Sequence, residues 1–167
     1  MTLTAQRLRE FAAYEPTTGV FTRLHDTGRW GRTKAGTALG HVRPDGYLAF
    51  AVDGRNYLAH QLAWLYVTGS WPAAQVDHIN GSRSDNRFSN LRDVPPAVNC
   101  QNRTVAQSGS TTGVLGVGRS NGVIVANIKV GRRQHYLGRF SNVVDAKAAY
   151  DSAKLLMHPG FVPRAEQ

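Results

Sequence analysis

The sequence predicts an α+β fold in two small parts. One part is built around β-hairpins and helices, and the other is a small three-stranded antiparallel sheet with one packed helix. Short segments of alternating apolar and polar residues are separated by turn residues, such as the Pro-Asp-Gly of 44–46. Apolar residues recur at helical spacing in 57–67 and 141–157. Between these regions lies a polar, uncharged stretch, 104–112, which is typical of a linker.

The first part of the chain predicts two helices, a strand and a hairpin, distinguished by the spacing of their apolar residues. In order these are a helix over 3–14, a strand over 20–24, a hairpin over 38–42 and 47–52, and a helix over 57–67. A Gly-rich, basic stretch over 26–36 precedes the hairpin. Gly69 and Pro72 end the second helix, because glycine adopts the left-handed cap and proline cannot continue the helix.

The second part predicts three strands joined by short Asn-Gly and Gly-Arg turns, followed by one helix. These elements cover 114–117, 123–130, 134–137 and 141–157. Alternation along the second strand places Ala126 and Ile128 inward, so that Asn127 and Lys129 face outward. A sheet of three strands backed by one helix is a small but complete unit of about 50 residues.

The charge of the chain indicates a polyanionic partner. Twenty Lys and Arg stand against eleven Asp and Glu, a net charge of +9. Sixteen of the twenty basic residues are Arg, whose planar guanidinium grips phosphate with two hydrogen bonds. The segment after residue 103 is the denser cation, with eight basic and three acidic residues. Neutralising phosphates with fixed positive charge releases counterions, so nucleic acid is the expected partner.

Cys100 is the only cysteine of the 167 residues, which excludes an internal disulfide and a cysteine-based zinc ribbon. No zinc is therefore expected. The chain has no stretch that resembles a secretory leader, and no run of about 20 apolar residues. We expect a cytoplasmic protein, in a bacterial or phage-infected cell, that has no membrane partner and is not secreted.

An acid, an imidazole and an amide lie around one polar loop. Asp77 and His78 end a short apolar segment, the loop follows, and a helix predicted over 95–103 carries Asn99. Such a trio can hold one hard divalent cation through oxygen atoms and leave a neutral imidazole beside it. Phosphodiester hydrolysis needs these parts, a base for the water and a Lewis acid for the phosphate. Adjacent strand residues face opposite ways, so both side chains serve one site only if the strand ends or bulges there.

Five short sequence motifs occur in order around this loop. They are His60-Gln-Leu-Ala-Trp, Val76-Asp-His-Ile-Asn-Gly, Asp85-Asn-Arg, Asn90-Leu and Asn99 with Asn102-Arg103. Because of these motifs, residues 41–103 resemble the HNH family of nucleases, in the phage and intron-borne homing-endonuclease branch that has Asp-His in place of His-His. The resemblance implies a ββα-metal motif made of 75–78, 91–94 and a helix over 97–103. Gln61 departs from the family pattern, in which many relatives have Arg after the first His.

The resemblance also implies a role for each of these positions. His78 matches the general base, Asp77 and Asn99 match the metal ligands, and Asn90 matches the residue that braces the loop. Asn86 and His60 are expected to support the site structurally, and for His60 a buried, hydrogen-bonded side chain is favoured over a metal ligand. The implied cofactor is one divalent cation, Mg²⁺ with Mn²⁺ as the alternative. No small-molecule cofactor is expected.

The second part resembles a different family. The matching motifs are Thr112-Gly-Val-Leu-Gly-Val, Val125-Ala-Asn-Ile-Lys-Val, Tyr136-Leu-Gly-Arg-Phe and Asp145-Ala-Lys-Ala-Ala-Tyr-Asp. They resemble the three-stranded DNA-binding domain of plant ethylene-response-factor proteins, whose sheet enters the major groove. The resemblance implies that outward polar residues read bases and that arginines in turns and at strand ends contact phosphate. The expected base readers are Asn127, Lys129, Gln134 and Tyr136, and the expected phosphate contacts are Arg119, Arg132, Arg133 and Arg139. Gly118, Ser120 and Ile124 stand where that family has aromatic and basic residues, so few side chains reach bases.

The sequence therefore predicts a metal-dependent HNH DNA endonuclease of the homing type that acts on double-stranded DNA. Its predicted parts are an N-terminal helix and strand region over 1–40, a nuclease domain over 41–103, a linker over 104–112 and a DNA-binding domain over 113–163. The alternative is a DNA-binding regulator with a vestigial nuclease motif, and the intact Asp77, His78 and Asn99 argue against it. A ribosome-associated basic protein would explain the charge and none of the motif. The oligomeric state is not predicted.

Overall fold

The computed structural model describes residues 2–27 and 33–163, and this part of the chain contains four α-helices and ten β-strands. It forms two compact units, Met1–Pro95 and Pro96–Gln167. Small antiparallel sheets and separate helices confirm the predicted mixture of α and β structure. Within the described ranges, the helices are all too short or too polar to cross a membrane. Residues 28–32 of the Gly-rich basic stretch lie outside the described residues.

The first unit contains two helices and seven strands in three antiparallel sheets, β1-β2, β3-β4-β5 and β6-β7. The helices are α1 (Ala5–Phe11) and α2 (Ala59–Thr68), and a short 3₁₀-helix covers Phe88–Asn90. The strands are β1 (Ala12–Glu15), β2 (Val20–Arg23), β3 (His41–Val42), β4 (Leu48–Val52), β5 (Arg55–Leu58), β6 (Gln75–His78) and β7 (Leu91–Val94).

Two helices of the first unit are shorter than their apolar spacing predicts. The predicted helix over 3–14 stops at Phe11, because 12–15 pair with β2 in the register Tyr14 to Phe21. The helix predicted from residue 57 begins at Ala59, because Tyr57 and Leu58 pair with β4. In both places pairing with the neighbouring strand of a hairpin overrides a local period that a short helix would also satisfy.

One core holds the first unit together and anchors the strand that carries Asp77 and His78. Leu8, Phe21 and Leu62 are fully buried in it. Val76 of β6 and Leu91 of β7 are buried in the same cluster. Each buried side chain of this size contributes about 1.5–3 kcal/mol relative to full exposure. The core therefore fixes the position of the β6-β7 pair against both helices.

The second unit contains two helices and one sheet of order β10-β9-β8. Its elements are α3 (Pro96–Gln101), β8 (Val117–Ser120), β9 (Val123–Val130), β10 (Arg133–Phe140) and α4 (Val143–Met157). Helix α4 starts at Asn142, whose side chain accepts a hydrogen bond from the backbone N–H of Asp145. Ala146 of α4 packs in a small core with Val117, Ile124 and Ala126.

The first strand of this sheet lies three residues later than predicted. The segment predicted as a strand over 114–117 turns instead, because Gly116 has φ +73° and Val117 donates its backbone N–H to Val114. The ring of Tyr150 occupies the space that a side chain at Gly116 would need. The third strand is longer than predicted, with an irregularity between Tyr136 and Gly138 where the register shifts.

Candidate active site

Strand β6 ends at the two residues that the sequence singles out. Asp77 and His78 are both buried, with 8 % and 4 % of their surface exposed. Asp77 lies opposite Arg92 of β7, and His78 lies opposite Leu91. After His78 the strand stops, and Gly81 donates its backbone N–H to the His78 carbonyl at 2.9 Å to start the loop. Asp77 and His78 are thus the last two residues of β6, and the loop begins directly after them.

A hydrogen bond to Asn86 orients the His78 ring. The distance from His78 Nε2 to Asn86 Oδ1 is 3.1 Å, and Asn86 donates its own Nδ2 to the Ser84 carbonyl at 3.2 Å. An amide oxygen only accepts, so Nε2 carries the hydrogen and the lone pair of the neutral ring is on Nδ1. Burial lowers the pKa of His78 below its usual value of 6.5, and the bond to Asn86 opposes this in part. Burial thus favours the neutral form of the ring.

A second buried imidazole lies beside the first. His60 of α2 is 4 % exposed, and its ring meets that of His78 edge to face with 4.9 Å between centroids. The ring of Tyr47 lies 5.1 Å from His60 and 5.9 Å from His78. His60 is buried as expected, and its Nδ1 atom has no hydrogen-bond partner in the structure. Burial first, and then the neighbouring His78, lower the pKa of His60 to about 3.

Asn90 ties the two sides of the loop together. Its Oδ1 accepts from the backbone N–H of Asn80 at 2.9 Å, and its Nδ2 donates to Asn80 Oδ1 at 3.0 Å and to the Asp85 carbonyl at 2.8 Å. Asp85 in turn accepts from Arg87 at 2.6 and 2.8 Å and from Asn80 Nδ2 at 2.7 Å. The hydrogen bonds from Arg87 are the main reason that the pKa of Asp85 falls to about 2. The loop that follows the base is therefore closed by its own side chains.

The carboxylate of Asp77 is held by Arg92 of β7. Asp77 Oδ2 accepts from Arg92 Nε at 3.0 Å and from Nη2 at 2.8 Å, so a guanidinium balances the buried carboxylate. No group of three or more His, Cys, Asp or Glu that could hold a metal occurs in 2–27 and 33–163. Mg²⁺ takes one or two protein oxygens and keeps several waters, so a carboxylate together with an amide can hold it. Asn99, the other expected ligand, lies on α3 of the second unit.

The expected base-reading residues of the second unit form two facing pairs on the outer side of its sheet. Asn127 lies opposite Tyr136, and Lys129 lies opposite Gln134. Residues directly opposite in antiparallel strands share a face, and Tyr136 and Lys129 are exposed there while Ala126 is buried beneath. The expected phosphate contacts are exposed: Arg119 and Arg139 on β8 and β10, Arg132 in the turn and Arg133 at the start of β10.

Three residues near the site are not found from the sequence. Arg92 becomes the partner of Asp77 only through the register of β6 and β7. The guanidinium of Arg83 lies 4.9 Å from the ring centre of Tyr47 and donates to the Asp45 carbonyl at 2.6 Å. The signal for Tyr47 is its place directly after the Pro-Asp-Gly turn of the hairpin, but nothing local indicates that this hairpin approaches the loop.

Comparison with known families bears on this segment. Residues 57–101 match the family model of an HNH endonuclease. The matched residues include His60, Asp77, His78, Asn90 and Asn99. The match supports a DNA nuclease of the HNH type, a class that generally uses a divalent metal. No curated protein and no solved structure matches the chain significantly. The resemblance of 113–163 to the plant DNA-binding domain stays a prediction from the sequence.

The buried His60 makes the stability of the protein dependent on pH. Its folded pKa lies below its unfolded value of 6.5, so its contribution is present above pH 6.5 and is lost as the pH falls toward 3. We expect the free energy of unfolding to decrease below pH 6.5 by up to about 1.4 kcal/mol per pH unit from this group. Urea unfolding at several pH values should show a shallower decrease for His60→Phe.

His41→Phe is the matched control, since His41 is exposed on β3 of the same unit. It should keep the wild-type pH dependence. His78, whose pKa burial also lowers, retains part of the slope in His60→Phe. Parallel curves for the wild type and His60→Phe would contradict the assignment of a neutral, buried His60.

Proposed function

We propose that the protein is a metal-dependent HNH DNA endonuclease of the homing type, in which His78 is the general base. The observation that carries the proposal is the buried His78 ring, held by Asn86 at the end of β6, inside the segment that matches the HNH endonuclease model. A histidine acts as a general base at neutral pH only when its accepting nitrogen is unprotonated, and a buried imidazole meets this condition. The charge excess of the chain agrees with a phosphate-rich substrate.

The hydrolysis that we propose starts with water in line with the phosphate. His78 Nδ1 takes a proton from this water as its oxygen bonds to phosphorus, and the bond from phosphorus to the 3′-oxygen breaks. The leaving oxygen takes a proton from solvent, giving a 3′-hydroxyl and a 5′-phosphate, and His78 returns its proton to solvent. A bound divalent cation supplies the Lewis acid that stabilises negative charge on the phosphate and the leaving oxygen.

We assign Asp77 and Asn99 as the ligands of that cation, Mg²⁺ with Mn²⁺ as the alternative. The carboxylate and amide oxygens are the donor type that Mg²⁺ prefers. Arg92 holds Asp77 in one orientation and balances its charge. Asn90 keeps the loop closed, and His60 packs on the ring of the base. Asn99 enters this assignment from the sequence resemblance.

We further propose that the second unit binds double-stranded DNA with the outer face of its sheet. The facing pairs of Asn127 with Tyr136 and of Lys129 with Gln134 support base reading there, because amide and ammonium groups match the edges of adenine and guanine. The exposed arginines at strand ends and in the turn support phosphate contact. These are Arg119, Arg132, Arg133 and Arg139.

The base assignment predicts the effect of His78→Ala on plasmid nicking. In Mg²⁺, the variant should cut supercoiled plasmid about 10²–10⁴ times more slowly than the wild type, because general-base catalysis contributes that factor. DNA affinity, measured by gel shift in EDTA, should stay unchanged. EDTA should stop cleavage by the wild type.

His41→Ala is the matched control for this experiment, because it removes an exposed imidazole of the same unit. It should cut at the wild-type rate. A His78→Ala variant as fast as His41→Ala would remove His78 from the reaction. DNA binding without any metal-dependent cleavage by the wild type would favour the regulator with a vestigial motif.

The binding assignment predicts two separable effects in the second unit. Replacing Arg132 and Arg133 by Ala should weaken binding to all duplexes about equally. It should also reduce the log–log salt slope by roughly 0.9 for each phosphate that the variant no longer neutralises. Replacing Asn127 by Ala should change which sequences are preferred. Fluorescence anisotropy over a salt series, on a panel of duplexes, measures both effects.

Lys147→Ala serves as the control for charge, because Lys147 is exposed on α4, the helix that packs on the other side of the sheet. It removes one positive charge away from the outer face. If Lys147→Ala lowers the affinity and the salt slope as much per charge as the arginine variants, the sheet face is not the binding surface.

A further inference from the structure

We infer that the N-terminal hairpin β1-β2 is a positioning element of the active site, in which Tyr14 and Gly19 hold the segment 86–88 that orients His78. The hairpin lies outside the residues that match the HNH endonuclease model, which begin at 57. The inference rests on the proposed role of His78 as the base. Its support comes from three contacts between the hairpin and this segment.

The first contact is a buried hydrogen bond from Tyr14 to the backbone of Asn86. Tyr14 Oη donates to the Asn86 carbonyl at 2.7 Å, and Asn86 is 1 % exposed. The ring of Tyr14 is held by Phe21 at 4.6 Å and by Tyr66 at 5.6 Å between centroids. A buried carbonyl left without a donor costs about 1–3 kcal/mol, so this bond fixes where the peptide of Asn86 lies.

The second contact is made by the turn of the hairpin. Gly19 has φ +74°, and a Cβ atom built there would lie 2.5 Å from the carbonyl carbon of Asn86 and 2.9 Å from its oxygen. No side chain fits in that space. The backbone of the turn therefore packs directly on the peptide that joins Asn86 to Arg87, and glycine is needed both for the conformation and for the close approach.

The third contact lies at the next peptide, which joins Arg87 to Phe88. The backbone N–H of Phe88 donates to the carbonyl of Pro16 at 3.0 Å. Two hydrogen bonds from one hairpin thus flank Arg87, one at Asn86 and one at Phe88. The segment that carries Asn86 is thus held by one side-chain and one main-chain partner more than 65 residues earlier in the sequence.

These contacts reach the base through a single side chain. With its backbone held by the hairpin and its Nδ2 held by Ser84, Asn86 has its Oδ1 fixed against His78 Nε2. Moving the backbone of Asn86 away from His78 would break the Tyr14 bond or displace the turn at Gly19. Since a displacement of about 1 Å in a catalytic group can cost about 10²-fold in rate, the hairpin determines how well the base is aimed.

The test compares Tyr14→Phe with Tyr66→Phe in the full-length protein. Both changes remove one phenol hydroxyl from the same aromatic cluster, since the ring of Tyr66 packs on Tyr14 and Phe21. We expect Tyr14→Phe to lower kcat for duplex cleavage about tenfold with KM unchanged, which is the range of one hydrogen bond. Tyr66→Phe should leave both parameters at wild-type values.

A double-mutant cycle separates positioning from general stability. If Tyr14 acts through His78, adding Tyr14→Phe to His78→Ala should not slow the residual cleavage further. An equal loss in both backgrounds, or a Tyr14→Phe variant as active as Tyr66→Phe, would overturn the inference.

A measurement that does not depend on cleavage decides the inference separately from the proposed function. The Nε2 proton of His78 is followed by NMR of protein labelled with ¹⁵N-histidine, through its exchange with solvent. We expect faster exchange in Tyr14→Phe and wild-type exchange in Tyr66→Phe. If the wild type does not cleave DNA, the proposed function fails, and unequal proton exchange in the two variants would still support the positioning role. Equal exchange would contradict it.

Discussion

The hydrogen bond between His78 Nε2 and Asn86 Oδ1 is the constraint on which the site depends. Burial makes a charged imidazole costly at this position, and a neutral ring has one donor and one acceptor nitrogen. The amide oxygen takes the donor, which defines the nitrogen that can accept a proton. The loop closed by Asn90 and the hairpin contacts at Tyr14 both keep Asn86 in place. These contacts together orient the His78 ring.

The two functional side chains of strand β6 lie in different surroundings. Asp77 faces a guanidinium, whereas His78 faces a second imidazole and an aromatic ring. His60 keeps a buried nitrogen without a hydrogen-bond partner, an arrangement that costs stability. Buried polar groups that break the rules of core packing are found most often at functional sites.

The sequence predicts those features of the fold and site that depend on residues close together in the chain. Sequence motifs predict the Asp-His pair and Asn90, and the spacing of apolar residues predicts helix α4. Tyr14, Arg92 and Tyr47 do not, because their contacts with the site are set by strand register and by chain segments far apart. The predicted end of α1 and the predicted start of α2 are wrong because hairpin pairing takes the residues there. Short apolar patterns fit a helix or a strand equally well until a pairing partner is known.

The central claim is that one imidazole accepts the proton of the attacking water, and chemical rescue tests it most directly. His78→Gly leaves space where the ring was, next to the Oδ1 of Asn86 that can hold a replacement. With Mg²⁺ present, free imidazole should raise the cleavage rate of His78→Gly in proportion to its concentration, and it should leave the wild-type rate unchanged. A His78→Gly variant that cuts as fast as the wild type, or one whose slow cleavage does not respond to imidazole, would contradict the claim.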